Sequence, residues 1–122
     1  MLYTAFTVLG IAVLLGSVLA ILHLRDDATP PPWPLGALHG LIALAGLGLL
    51  GLALRGPLRG LDQGTGSFGT IAAALIALAA LVGLAQLAAR LRKRRLSGML
   101  IGIHATLAIG GFVILLAYVL VG

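Results

Sequence analysis

The chain has 122 residues, of which 61% are hydrophobic and only 9% are charged, and its mean hydropathy is +1.18. A soluble domain usually has about 25% charged residues, so a water-soluble globular core is excluded. Cysteine is absent, which excludes disulfides and thiolate chemistry, and the net charge of +5 comes from eight basic residues against three aspartates.

Four uncharged stretches follow one another along the chain: Leu2–Leu24, Leu35–Leu54, Ser67–Ala89 and Leu96–Gly122. Each has the roughly 20 residues that a helix needs to cross about 30 Å of hydrocarbon. The first lacks the basic flank of a cleaved signal peptide, so we expect it to be retained as a helix. The pattern predicts one all-α domain, residues 1–122, folded as a bundle of four transmembrane helices.

The three connections differ in composition. Residues 25–34 contain Arg25, two aspartates expected to be solvated, and four prolines, which predicts a short rigid loop. Residues 55–66 are rich in glycine and are predicted to be flexible. The third connection contains the basic run Arg90–Arg95.

The basic residues are distributed unevenly between the two sides of the predicted bundle. Six flank the first and third connections, whereas two, Arg55 and Arg59, lie in the second. Because cytoplasmic loops of membrane proteins are enriched in Lys and Arg, loops 25–34 and 90–95 are predicted to be cytoplasmic, with both termini outside a bacterial inner membrane. The basic run is interpreted as a topology signal that contacts anionic lipid, and no nucleic-acid partner is expected.

The second and fourth stretches resemble each other. Helix two reads HGLIALAGLGLL from His39, and helix four reads HATLAIGGFVILL from His104. The first and third match less closely, with Gly16 opposite Gly83. A duplication would give two parallel two-helix repeats related by an axis along the membrane normal, although spans rich in leucine, alanine and glycine also resemble one another by chance.

Three histidines are the only ionisable side chains in or at the edges of the spans: His23, His39 and His104. An ionisable residue in a membrane helix is costly and is a candidate functional residue. Helices two and four run in the same direction, so His39 and His104 both fall in the cytoplasmic half, about one turn apart in predicted depth. His23 faces the same side from the end of helix one.

The residues four and seven positions after His39 and His104 are small, which leaves a stripe without bulky side chains on the same helix face. These residues are Ala43 and Gly46 in helix two, and Ala108 and Gly111 in helix four. A flat porphyrin needs such surfaces. Two imidazoles at matching depth in a four-helix bundle are the arrangement that holds a haem iron from both sides.

With these residues, helices two and four resemble the four-helix b-type membrane cytochromes, of which the cytochrome b-561 type is an example. In that family paired histidines on different helices ligate haem b, and electrons pass between quinone, ascorbate or a partner protein. The resemblance implies haem b with His39 and His104 as axial ligands, His23 being the less favoured ligand, and it leaves open a pairing of Arg25 or Arg92 with the haem propionates. The family usually binds two haems, whereas this chain has no histidine in its outer half, so one haem is expected.

The sequence therefore predicts a b-type cytochrome or cytochrome-like subunit that transfers electrons to or from quinone or a partner subunit. A second hypothesis is a cofactor-free structural or assembly subunit, whose glycine-rich faces pack on other membrane subunits or on a second copy. A copper or zinc ion held by the histidines is a minor alternative. A stand-alone enzyme or an ion path finds little support, because the spans contain no carboxylate and few polar residues.

Overall fold

The computed structural model describes residues 1–26 and 29–121. In these ranges the chain forms the helices α1 (Leu2–Arg25), α2 (Trp33–Ala53), α3 (Phe68–Leu91) and α4 (Gly98–Leu120), and a 3₁₀ turn at Leu61–Gln63. All four α helices are long and apolar enough to cross a membrane, which confirms the predicted all-α four-helix bundle. The predicted solvation of Asp27 and the predicted helix end at Gly122 concern positions outside the described residues.

The helix ends differ from the hydropathy prediction by one or two residues, for local reasons. Helix α2 begins at Trp33 and so includes Pro34, which had been assigned to the loop. Proline is tolerated there because the first N–H groups of a helix have no intrahelical acceptor. Helix α3 ends in a turn at Lys93, whose φ of 56° is left-handed, and α4 begins after Ser97, whose hydroxyl accepts a hydrogen bond from the Leu100 N–H.

The helices are arranged as two packed hairpins. Helix α1 packs mainly on α2, and α3 mainly on α4, with smaller contacts between α2 and α3 and between α1 and α4. Helices α2 and α4 therefore lie diagonally opposite each other. We call the end where α1 and α3 finish the basic end, because it contains Arg90–Arg95, and we call the opposite end the terminal end.

The tightly packed core lies in the terminal half of the bundle. Its buried members are Ala5, Leu9, Leu50, Ala72, Ile76, Leu115, Tyr118 and Val119. The rings of Phe6 and Phe112 stack beside this core with centroids 4.9 Å apart and planes 9° apart. The basic half is packed less densely and contains the cavity described below.

Large apolar side chains cover the outside of every helix. Examples are Leu14 on α1, Leu41 on α2, Leu81 on α3 and Val113 on α4, each more than half exposed. A soluble protein rarely exposes contiguous apolar surface of this extent. The protein is therefore an integral membrane protein whose outer surface contacts lipid.

The two hairpins use the same close contact between their helices. A Cβ atom at Gly46 would lie 2.7 Å from Cγ of Leu9, and one at Gly111 would lie 2.8 Å from Cγ1 of Ile76. In each hairpin a glycine of the second helix thus receives a branched side chain of the first. The internal similarity seen in the sequence corresponds to a repeated packing arrangement.

The second connection is held in place more firmly than its glycine content predicts. Arg59 Nη2 donates hydrogen bonds to the carbonyl oxygens of Val119 (3.2 Å) and Val121 (2.9 Å) at the end of α4. Its guanidinium also lies 5.9 Å from the centre of the Tyr3 ring. Gly60 has a left-handed φ of 68°, and a side chain there would collide with Val121. The connection therefore anchors the end of α4.

Candidate functional site

His39 and His104 occupy equivalent positions in the bundle. Each is the seventh residue of its helix, counted from Trp33 in α2 and from Gly98 in α4, which places each about 9 Å from its helix start. The one-turn difference expected from the sequence arose from the estimated helix boundaries and is absent. Both helices start at the basic end, so both imidazoles lie in the basic half.

Each imidazole is oriented by a hydrogen bond to the neighbouring helix of its hairpin. His39 Nδ1 donates to the carbonyl oxygen of Ala12 at 2.8 Å, and His104 Nδ1 donates to that of Ala79 at 2.7 Å. A carbonyl oxygen only accepts, so Nδ1 carries a proton, and in the neutral imidazole Nε2 then carries the lone pair. Throughout the described ranges, neither Nε2 has a hydrogen-bond partner. This is the orientation that metal-binding histidines usually have.

A glycine lies against the side of each ring. A Cβ atom at Gly16 would be 2.9 Å from Cε1 of His39, and one at Gly83 would be 3.0 Å from Cε1 of His104. Each glycine comes one turn after the alanine whose carbonyl accepts the hydrogen bond. The first helix of each hairpin therefore holds the imidazole by a main-chain acceptor and makes room for it with a missing side chain.

The two imidazoles meet across the interior of the bundle. Their ring centroids are 6.0 Å apart, and their planes are 81° apart. Two metal–imidazole bonds of about 2 Å each, together with the distance from each Nε2 to its ring centre, span on the order of 6 Å. The separation of the rings is therefore comparable with that of two axial ligands on one iron.

A cavity of about 290 Å³ surrounds the histidine pair, and all four helices contribute to its wall. Sites for small molecules usually measure about 300–1,000 Å³, so this space lies just below the lower limit of that range. Small residues make up much of the wall, among them Ala12, Gly16, Ala43, Ala79, Gly83 and Ala108. The wall contains no carboxylate among the residues that the structure describes.

The four small residues predicted to flank a porphyrin fall into two groups. Ala43 and Ala108 line the cavity beside the histidines. Gly46 and Gly111 instead face the first helix of their own hairpins, where Leu9 and Ile76 fill the space. These contacts assign the two glycines a helix-packing role. The predicted contact of these two glycines with a cofactor stays a prediction, and neither glycine lines the cavity.

Polar side chains line the part of the cavity toward the basic end. They are His23 from α1, Trp33 from α2, and Gln86 and Arg90 from α3. Gln86 Nε2 and Arg90 Nε are shielded from solvent, and no described residue accepts a hydrogen bond from either. Arg25 and Arg92, the two arginines considered from the sequence for contact with propionates, are exposed and do not line the cavity.

Sequence reasoning missed several parts of this site. The acceptors at Ala12 and Ala79 are main-chain atoms, which residue types do not indicate. Gly16 and Gly83 were noticed only as matching positions of the repeat. Arg90 follows Gly83 by seven residues, so the helical period alone would have placed it on the face of α3 that lines the cavity.

Comparison with known proteins gives no relative from which a role can be transferred. No family model, no curated protein and no solved structure matches the chain. The geometry of the histidine pair and of the surrounding cavity is therefore the basis for assigning a function.

Proposed function

We propose that the protein is a membrane b-type cytochrome or cytochrome subunit that binds one haem between α2 and α4, with His39 and His104 as axial ligands. The observation that carries this proposal is the matched pair of imidazoles. Each is anchored through Nδ1 to a main-chain carbonyl, and the two rings lie 6.0 Å apart inside a cavity.

The residues present fit haem better than a bare metal ion. Zinc takes four ligands, and no group of three or more histidine, cysteine or acidic residues is close enough to bind a metal within the described ranges. A haem iron brings four porphyrin nitrogens and needs only two axial ligands from the protein. When bound, haem supplies reversible one-electron transfer.

The chain's own residues supply orientation and a mostly apolar environment. The Nδ1–H hydrogen bonds to Ala12 and Ala79 leave the lone pair of each imidazole on Nε2. The cavity wall around the pair is mostly apolar. Both effects influence the potential at which a bound haem accepts an electron.

The basic end faces the cytoplasm of a bacterial cell in this proposal, since positive residues are enriched on that side of membrane proteins. The histidine pair then lies in the cytoplasmic half, and both termini are outside. Electrons would enter or leave through quinone in the bilayer or through a partner subunit. The outer surface is apolar enough to adjoin either one.

A cofactor-free structural or assembly subunit is the second candidate, and one surface feature favours it. Gly98, Gly102 and Gly110 lie on α4 with open space where a side chain would be. Small residues at four-residue spacing allow membrane helices to approach closely. Such a surface fits a neighbouring subunit or a second copy, whether or not haem is bound.

A reduced-minus-oxidised absorption spectrum of the protein, purified in detergent after haem-replete expression, separates the two candidates. The cytochrome proposal predicts sharp b-type bands in the wild type and in His23→Ala, and their loss in His39→Ala and His104→Ala. Far-UV circular dichroism checks that each variant remains helical. A colourless wild-type preparation, or unchanged bands in either His39→Ala or His104→Ala, would contradict the proposal.

A further inference from the structure

Apart from the histidine pair, most polar side chains of the cavity wall lie toward its basic end. Along α3 toward the basic end, Gln86 and Arg90 follow Gly83 by three and seven residues, so all three lie on one face of the helix. Arg90 is about 10 Å beyond Gly83 along the helix axis. His23 at the end of α1 and Trp33 at the start of α2 supply the other polar side chains of this part of the wall. The cavity thus changes from apolar around the histidine pair to hydrogen-bonding and positive at its basic end.

Two donors of these side chains find no acceptor among the residues that the structure describes. Arg90 Nε and Gln86 Nε2 are both shielded from solvent and lack an acceptor among the described residues. A buried donor without a partner costs about 1–3 kcal/mol, and more when it is charged. Such donors are retained at little cost where a ligand supplies the missing acceptor.

Arg90 differs from the other basic residues of its cluster. Arg92, Lys93, Arg94 and Arg95 are exposed beyond the end of α3, whereas Arg90 is half-buried and lines the cavity. A topology signal or a contact with lipid headgroups requires only exposed charges. The placement of Arg90 therefore calls for a separate explanation.

We infer that Arg90 and Gln86 form a carboxylate-binding subsite of the cavity, which receives the propionate groups of the haem and sets its orientation with the acidic edge toward the basic end. The inference rests on the proposed haem function. A guanidinium binds a carboxylate through charge-assisted hydrogen bonds, and the amide of Gln86 adds a neutral donor. The reach from Gly83 to Arg90 is comparable with that from the centre of a porphyrin to its carboxylates. Arg90 and Gln86 are positioning residues here, and the imidazoles remain the iron ligands.

The test compares haem with its dimethyl ester, which keeps the iron and the porphyrin but lacks both carboxylates. The apoprotein in a neutral, lipid-free detergent is titrated with each compound, and the dissociation constants are obtained from the absorption change. The wild type is expected to bind haem about 10- to 100-fold more tightly than the ester, the range of one charged hydrogen bond. Arg90→Met, which keeps the alkyl chain, is expected to remove most of this preference, and Arg92→Met, which removes a nearby exposed charge, is expected to keep it.

Each other outcome overturns the inference in a recognisable way. Equal affinity of the wild type for haem and ester would overturn the subsite and leave the haem proposal intact. If Arg90→Met and Arg92→Met lost the preference for haem over the ester equally, that preference would come from the overall positive charge of the basic end and not from a subsite at Arg90. Binding of neither compound would overturn the haem proposal itself. The wild-type comparison needs no variant, so the test stands even if Arg90→Met fails to fold.

Discussion

Replacing Gly16 with alanine would place a methyl carbon 2.9 Å from Cε1 of His39. Non-bonded carbon atoms prefer a separation of about 3.5–4.0 Å, so the imidazole has to retreat by about 0.6 Å or more. That movement strains the hydrogen bond from Nδ1 to the Ala12 carbonyl, now 2.8 Å long, and displaces Nε2. Gly16→Ala therefore perturbs one proposed ligand without removing it.

The expected loss of haem affinity can be estimated from the loss of metal affinity when a residue that orients a metal ligand is altered. Altering the residues that orient a metal ligand usually lowers affinity about 10- to 100-fold, which is about 1.4–2.8 kcal/mol. We expect the dissociation constant of Gly16→Ala for haem to rise within this range. Gly83→Ala should raise the dissociation constant for haem to a similar extent, because its methyl carbon would lie 3.0 Å from Cε1 of His104.

The assay is a titration of the apoprotein with haem in detergent, followed by absorption. Gly102→Ala is the matched control, since Gly102 has open space where the methyl group would go and does not line the cavity. Far-UV circular dichroism reports whether each variant keeps its helices. Equal haem affinity and identical spectra for the wild type, Gly16→Ala and Gly102→Ala would refute the geometric account of the site.

Three further predictions concern stability and topology. Arg59→Met removes the two hydrogen bonds to the end of α4 and should lower the free energy of unfolding by about 1.5–3 kcal/mol, measured by chemical denaturation in micelles. Gly46→Ala forces a methyl group onto Leu9 and should destabilise the apoprotein by about 1–3 kcal/mol in the same assay. A single cysteine introduced as Arg94→Cys should resist an impermeant maleimide in intact cells, because the basic end is proposed to be cytoplasmic.

Each of these predictions has a control on the same chain. Arg55→Met removes an exposed arginine of the same connection and should leave stability nearly unchanged; equal losses for both arginines would remove the special role of Arg59. Gly48→Ala enters open space on α2 and should be tolerated, so equal effects at the two glycines would disprove the packing argument. Asp62→Cys, exposed near the terminal end, should label readily, and the reverse labelling pattern would invert the proposed topology.

The four helices could be predicted from the sequence because mean hydropathy over a 20-residue window depends on amino-acid composition and not on the position of single residues within the window. The same insensitivity explains the small boundary errors. Pro34 reads as a loop residue, yet the first turn of α2 accommodates it, and Arg90 reads as a loop charge, yet α3 continues through it. Hydropathy depends only on residue type, whereas the end of a helix also depends on which backbone N–H groups find an acceptor.

The candidate site was only partly accessible to sequence reasoning. Helical direction predicted that His39 and His104 would lie in the same half of the bundle, and the structure brings them together. The roles of Gly46 and Gly111 could not be separated from those of Ala43 and Ala108, because small residues serve helix packing and cofactor contact equally well. Which neighbouring helix fills the space, as Leu9 does at Gly46, is a property of the tertiary packing.

The pairing of the imidazoles on one iron is tested most directly by electron paramagnetic resonance of the oxidised, haem-loaded protein. Two neutral imidazoles give a low-spin ferric iron, and ring planes 81° apart should make its signal strongly anisotropic, as nearly perpendicular axial imidazoles do. The account predicts one such low-spin species, absent from His39→Ala and from His104→Ala. A high-spin ferric signal in the wild type, or a low-spin signal that persists in either variant, would contradict it.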